Sequence, residues 1–220
     1  MATDDKKKLK KYPEREESPD KLEEPAIVYG STLNRYSYAD YLTWLDDKTR
    51  EIINGVVKLM PFSVTSTHAE LSAKILCKLM IHIEKRKGRC KVYHAPFDVR
   101  LPKNGETADD KIYTILQPDV CVVCDLSKLD EKGCLGAPDL VVEVQSPSTA
   151  RYDLTKKFHV YEEAGVREYW VVFSKKVLIT VFHLQENGKF DEGTVFKINN
   201  KVTSRVLEGL EIDMEKLFTF

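Results

Sequence analysis

The amino-acid sequence predicts an α/β protein of the α+β type, in which a mixed β-sheet is flanked by helices. Two segments repeat apolar residues at the period of a helix, and several short runs are rich in β-branched residues. The order helix, hairpin, helix, three strands, helix and further strands is typical of helices packed on a mixed sheet. The 220 residues, 42% of them apolar, can bury a core without disulfides or a structural metal.

The first residues differ in composition from the rest. Residues 1–25 are mostly charged, and their lysine cluster, Lys6–Lys8, is almost balanced by acidic residues. Such a segment cannot bury enough apolar surface to order itself, so we expect a solvated, disordered tail. Residues 26–220 are expected to form a single domain.

The first elements are predicted by local signals. Ser37 is a suitable N-cap, and Asp40 three residues later completes a near capping box ahead of a helix. Asn54-Gly55 between β-rich runs predicts a hairpin, because a type I′ turn needs a positive φ at both positions. A one-face apolar stripe then predicts a long helix over residues 67–87.

The remaining elements are three strands, a second amphipathic helix and a further pair of strands. The strands are predicted at residues 91–101, 118–124 and 139–145, the helix at 149–164, and the pair at 168–174 and 177–184. The polar segment 102–113 is predicted to be a loop.

Charge and cysteine content limit the environment and the partners. The formal net charge is -1, so contacts with phosphates require a local basic patch or metal ions. No apolar run is long enough for a membrane span, and the N-terminus lacks the apolar stretch of a secretory signal. Five cysteines are expected to be reduced thiols of a cytoplasmic protein.

Cys121 and Cys124 form a CxxC pair, which admits two interpretations. A zinc or redox site would need both sulfurs on one side of the chain. The pair lies in an apolar run that reads as a strand, where residues three apart point to opposite faces. Buried core thiols are therefore the favoured interpretation.

Two Pro-Asp pairs, which end at Asp119 and Asp139, each open an apolar strand. The strand after Asp139 carries Glu143 in its middle. Alternation places Glu143 and Gln145 on one face, and a carboxylate there needs a cation, a donor network or a metal. Asp119 on the adjacent strand could join Glu143 in binding Mg²⁺, with Mn²⁺ as a substitute. The competing interpretation is a buried ion pair of Glu143 with Lys157, whereas Asp139 is more typical of a turn.

A lysine near the two carboxylates would stabilise charge at the phosphate. The position two residues after the strand glutamate is occupied by Gln145, and the next candidates are Lys156 and Lys157. Helical geometry directs Lys157 inward along the helix edge and Lys156 into solvent. His68 could bind phosphate, accept a proton or cap its helix, and Glu51 could supply a further carboxylate.

Several spaced motifs resemble the Uma family of restriction endonucleases. The resemblance runs from about Tyr36 to the C-terminus and rests on residues 51–55, His68, and residues 95–101, 117–125, 136–149, 153–172 and 209–213. The middle block is the specific part, because it keeps the family's motifs in the family's order.

The resemblance implies a restriction-endonuclease-like fold and the metal-dependent chemistry of the PD-(D/E)XK nuclease superfamily. Asp119 matches the first acidic residue, Glu143 the second, and Lys157 a lysine that has moved from the strand to the helix. Gln145 occupies the usual lysine position, so a strict ExK motif is absent. His68 lies among the matched residues.

These observations together predict a Mg²⁺-dependent endonuclease that hydrolyses phosphodiester bonds in DNA. A homodimer is expected, since nucleases that cut both strands often pair. No membrane association and no small-molecule substrate are expected. The alternative is a catalytically inactive nucleic-acid- or protein-binding module on the same fold, which the missing ExK motif and the near-neutral charge favour.

Overall fold

A computed structural model describes residues 35–60, 64–145 and 153–219, without the side chains of Asp153 and Leu154. The charged tail predicted for residues 1–25 and the predicted helix start at Thr149 lie outside these residues. None of the helices in the described part of the chain is long and apolar enough to cross a membrane.

The described residues contain four α-helices and fourteen short strands. The helices are α1 (Tyr38–Tyr41), α2 (Ser66–Lys85), α3 (Phe158–Ala164) and α4 (Met214–Leu217). The strands are β1 (Arg50–Ile53), β2 (Val56–Leu59), β3 (Lys91–His94), β4 (Val99–Arg100), β5 (Ile115–Leu116), β6 (Val120–Val123), β7 (Leu129–Asp130), β8 (Gly133–Leu135), β9 (Leu140–Gln145), β10 (Glu168–Phe173), β11 (Leu178–His183), β12 (Thr194–Lys197), β13 (Lys201–Thr203) and β14 (Glu211–Asp213). A π-helical turn, Asp153–Lys157, leads into α3.

The strands form two six-stranded mixed sheets and one small hairpin. The first sheet has the order β2-β1-β5-β4-β8-β7, and the second has the order β12-β11-β10-β9-β6-β3. The hairpin consists of β13 and β14. Each large sheet contains one parallel pair, β4 with β8 and β9 with β10, and its other pairs are antiparallel. The fold class is therefore the predicted one.

The second sheet is covered on both faces. One face packs against α2 and the C-terminal segment, which together bury the largest apolar cluster. The other face packs against apolar residues of the first sheet and of α3, which form a second cluster. Glu51 of the first sheet, Glu143 of the second sheet and Lys157 ahead of α3 meet in the space between these elements.

Most local predictions are confirmed. Asn54 and Gly55 have φ values of 52° and 83°, and they connect β1 to β2 in antiparallel register. Helix α2 begins after Thr65, whose side chain accepts the backbone N–H of His68, and it buries the predicted apolar stripe. The capping box of Ser37 also forms, but α1 ends after one turn at Tyr41.

The strand predicted over residues 91–101 is wrong in one respect, because two strands replace it. The chain leaves the second sheet after β3, passes through the cis peptide Ala95-Pro96 and joins the first sheet as β4. Proline has no N–H to donate to a ladder, which agrees with a break at this point.

The prediction that all cysteines are reduced is also wrong in the structure. Cys90 and Cys124 form a disulfide, because the register that pairs Lys91 with Val123 places them opposite each other at the ends of β3 and β6. Cys121 is buried as predicted, and it packs on the other face of the sheet from Cys124.

Candidate functional site

Asp119 immediately precedes β6 and Glu143 lies on β9, and these two strands are paired in the second sheet. The antiparallel register pairs Val120 with Val142, so one further step places Asp119 opposite Glu143. Alternation predicts that both side chains lie on the face covered by α3, because Val120 and Val142 pack towards α2. The Asp119 carboxylate nevertheless contacts His68 of α2. Asp119 Oδ2 accepts the backbone N–H of Val144 at 2.7 Å, which ties this carboxylate to the residue beside Glu143.

Lys157 joins two buried carboxylates that come from different sheets. The buried ion pair of Glu143 with Lys157, which was the competing interpretation of the sequence, is therefore formed. Its Nζ lies 2.8 Å from Oε1 of Glu143 on β9 and 2.8 Å from Oε1 of Glu51 on β1. Lys157 is only 1% exposed, whereas Lys156 is exposed, as the helical geometry predicts. Lys157 is also the last residue of the π-helical turn, a local geometry that is frequent at functional sites.

Glu51 is fully buried and its two oxygens differ in their partners. Oε1 accepts from Lys157 and from the backbone N–H of Gln117 at 3.1 Å. Oε2 is buried and has no hydrogen-bond partner among the described residues. Leaving a buried carboxylate oxygen without a donor costs free energy, so this oxygen is an acceptor that has capacity to spare.

Tyr161 is a member of the site that the sequence indicated only as part of an apolar stripe. Its hydroxyl donates to Glu143 Oε1 at 2.8 Å, and its side chain is completely buried. Burial, reinforced by the Glu143 and Glu51 carboxylates, raises the pKa of Tyr161 well above its ordinary value, so the hydroxyl keeps its proton. The available signal was its position four residues after Lys157, which places both on one helix face.

His68 brings the first turn of α2 to Asp119. Its Nε2 lies 3.1 Å from Asp119 Oδ2, and the histidine side chain is 11% exposed. The side chain of Thr65 accepts the backbone N–H of His68, so the imidazole does not cap the helix. Gln145 ends β9, is buried, and by alternation shares the face of Glu143.

Asp139, which opens the strand of Glu143, has a structural environment. One of its oxygens accepts the backbone N–H of Cys124 at 2.7 Å, and the other accepts from Arg167 at 3.1 Å. It lies at the opposite end of β9 from Gln145. The two Pro-Asp motifs therefore differ in surroundings, because Asp119 instead contacts His68 and the backbone of Val144.

The carboxylate oxygens of the site are ligands of the type that a hard divalent cation prefers. Within the described ranges, no three His, Cys, Asp or Glu side chains converge closely enough to hold a metal ion. Mg²⁺ commonly uses one or two carboxylates and completes its shell with water and substrate phosphate. Asp119 and Glu143 supply carboxylates from two paired strands. Glu51, which shares Lys157 with Glu143, adds a buried acceptor oxygen.

Comparisons with known proteins agree with this architecture. The Uma2 family model, described as "Putative restriction endonuclease", matches residues 38–215. An uncharacterized protein of Synechocystis is 27% identical over 158 residues, which cover 70% of this chain and 77% of that protein. The crystal structure of "a putative nuclease belonging to DUF820" from Anabaena variabilis is 18% identical with a TM-score of 0.64, covering 83% of this chain and 97% of that one. The last comparison shows a shared fold.

Proposed function

Because the chain belongs to the Uma2 family, we propose that it is a metal-dependent endonuclease that hydrolyses phosphodiester bonds in DNA. The observation that carries the proposal is the ammonium group of Lys157, buried between Glu51 and Glu143 and next to the strand of Asp119. Carboxylates that hold a metal ion and a lysine that stabilises developing charge are groups that assist phosphodiester hydrolysis.

Asp119 and Glu143 are the proposed ligands of Mg²⁺, or of Mn²⁺ in its place. A bound divalent cation would lower the pKa of a coordinated water and polarise the phosphate. Lys157 holds positive charge at the place where charge develops on the phosphate. Gln145 and His68 complete the polar wall of the site, and His68 acts through its contact with Asp119.

Glu51 and Tyr161 are proposed as positioning residues. Glu51 anchors the ammonium of Lys157 from the first sheet and would keep Lys157 in place if Glu143 held a cation. Tyr161 fixes Oε1 of Glu143 by donating a hydrogen bond. Position 145 lacks the usual lysine, and in this arrangement Lys157 supplies the ammonium group instead.

The test is cleavage of plasmid DNA, single-stranded DNA and RNA with Mg²⁺, Mn²⁺ or a chelator. Asp119→Asn and Glu143→Gln are each expected to lower the metal-dependent rate by at least about 100-fold, because each removes a charged ligand. Asp139→Asn is the matched control, since it alters the other Pro-Asp motif, and its folded fraction should cleave at the wild-type rate.

Two results would contradict the proposal. Wild-type rates in both ligand variants would remove Asp119 and Glu143 from the chemistry. If the wild type cleaves none of the three substrates, and calorimetry detects no Mn²⁺ binding that depends on these carboxylates, the inactive binding module is favoured.

A further inference from the structure

A cavity of about 330 Å³ lies on the first sheet, between the β1–β2 turn and the loop that joins β4 to β5. Three basic side chains line it, Arg35, Lys103 and Lys111, against one carboxylate, Glu106. Three cations against one carboxylate give the lining a formal charge of +2, although exposed carboxylates lie beside two of the lysines: Glu163 at 3.1 Å from Lys103 and Asp110 at 3.8 Å from Lys111. A concave surface lined by one sign of charge attracts ligands of the opposite sign.

The basic groups of this cavity are not committed to strong ion pairs. Arg35 has no carboxylate within ion-pair distance among the described residues, and its guanidinium lies 4.4 Å from the ring centroid of Tyr113. Lys103 Nζ is 3.1 Å from Glu163, but both side chains are 57% exposed. Exposed pairs of this kind contribute little, so Lys103 can exchange its partner for an anion at small cost.

Two elements independently give the distance from this cavity to the buried site. Along β1, Asn54 at the cavity is three residues beyond Glu51, which corresponds to roughly 10 Å at the rise of a strand. Along α3, Glu163 beside Lys103 is six residues beyond Lys157, which corresponds to roughly 9 Å at the rise of a helix. A DNA strand advances about 3.4 Å per nucleotide along its axis, so the separation spans about three nucleotides.

We propose that this cavity binds a phosphate of the nucleic-acid strand about three nucleotides from the phosphate that is cleaved. The inference rests on the proposed function, because it assigns the cavity to the substrate of the same site. Arg35 and Lys103 bind the phosphate oxygens, and the excess positive charge of the cavity orients the strand along β1 and α3. The shared chemistry is that of a phosphate ester, which a free nucleotide also carries.

The test measures binding without cleavage. A fluorescent single-stranded 12-mer and its duplex are titrated with protein in the presence of a chelator at several salt concentrations. Removing both cations with Arg35→Ala and Lys103→Ala should weaken binding by about 10-fold and lower the salt slope by about 1, because one phosphate contact is lost. Lys201→Ala is the matched control, since Lys201 forms an equally exposed pair with Glu211 and should bind like the wild type.

The outcomes separate this inference from the proposed function. Wild-type affinity and salt slope in the double variant would overturn the phosphate site, even if Asp119 and Glu143 prove essential for cleavage. A reduced slope would support the site even if no metal produces cleavage. Saturable binding of adenosine monophosphate that Arg35→Ala abolishes and the 12-mer does not displace would overturn the assignment to a strand phosphate.

Discussion

Two buried glutamates on neighbouring strands face opposite sides of the second sheet and have partners of different kinds. Glu143 on β9 is 4% exposed, and Oε1 accepts hydrogen bonds from the side chains of Lys157 and Tyr161. Glu168 on β10 is fully buried on the other face, and most of its donors are backbone groups. The two glutamates are therefore similarly buried, but side chains bind Glu143 and mainly backbone groups bind Glu168.

The partners of Glu168 fix a loop. Oε2 accepts the backbone N–H groups of Arg205 and Val206 at 2.8 and 3.0 Å, and Oε1 accepts the indole N–H of Trp170 at 2.6 Å. His183 lies opposite on β11, with Nε2 3.7 Å from Glu168. Oε2 thus holds the segment that precedes the C-terminal hairpin strand, whereas Oε1 binds Trp170 within β10.

The kind of donor that binds a buried carboxylate distinguishes a structural carboxylate from a functional candidate. A carboxylate bound by backbone N–H groups cannot exchange its partners without unfolding a segment. A carboxylate bound by lysine and tyrosine side chains can, because those side chains can move separately. Glu51, with one oxygen that lacks a partner among the described residues, belongs with Glu143 in this respect.

The largest expected effect on stability comes from removing the cation that the two functional carboxylates share. Lys157→Met leaves Glu51 and Glu143 without their buried ammonium, and breaking a buried pair in this way costs about 3–5 kcal/mol. Urea unfolding followed by circular dichroism measures the loss. Lys156→Met is the control, because its side chain is exposed, and it should change stability by less than about 0.5 kcal/mol. Equal losses in the two variants would contradict the role of Lys157.

A smaller effect separates the two glutamates directly. Glu168→Gln must turn its amide NH₂ towards N–H donors, because both oxygens of Glu168 are acceptors, and this should cost about 2–3 kcal/mol. Glu143→Gln can present its amide oxygen to Lys157 and Tyr161, so its loss of stability should be smaller. Thermal melts and cleavage rates below the melting point should rank the variants in opposite orders. The reverse ranking would show that Glu143 is the structural residue.

Sequence patterns predicted those features that one element decides by itself. The turn at Asn54-Gly55 depends on two neighbouring residues with positive φ, and both have it. The burial of Lys157 and the exposure of Lys156 follow from the angle between successive residues of a helix.

Features that join distant elements were not predictable from these patterns. The ion pair of Lys157 with Glu51 requires that β1 of one sheet lies against α3 on the other, which local periodicity does not encode. The disulfide of Cys90 with Cys124 spans 34 residues and depends on which strands are neighbours. Tyr161 was recognised as buried, but its acceptor is determined by the same long-range packing.

The smallest expected effect concerns Tyr161, the neutral donor of the site. Tyr161→Phe removes its hydrogen bond to Glu143, which should lower stability by about 1–1.5 kcal/mol at pH 8. Lys157 still donates to the same oxygen, so the fold should persist. Urea unfolding of the two proteins at pH 8 measures this difference.

The same pair of proteins should converge in stability as the pH rises. An unfolded tyrosine ionises near pH 10, whereas burial raises the pKa of Tyr161 in the folded protein well above that value. Above pH 10 the unfolded state therefore holds fewer protons than the folded state, and this tyrosine's contribution falls by about 1.4 kcal/mol by pH 11. Tyr161→Phe lacks this loss, so the difference measured at pH 8 should nearly vanish at pH 11. A constant difference between pH 8 and pH 11 would mean that Tyr161 is not held as a buried neutral donor, and that Glu143 is more open to solvent than its contacts indicate.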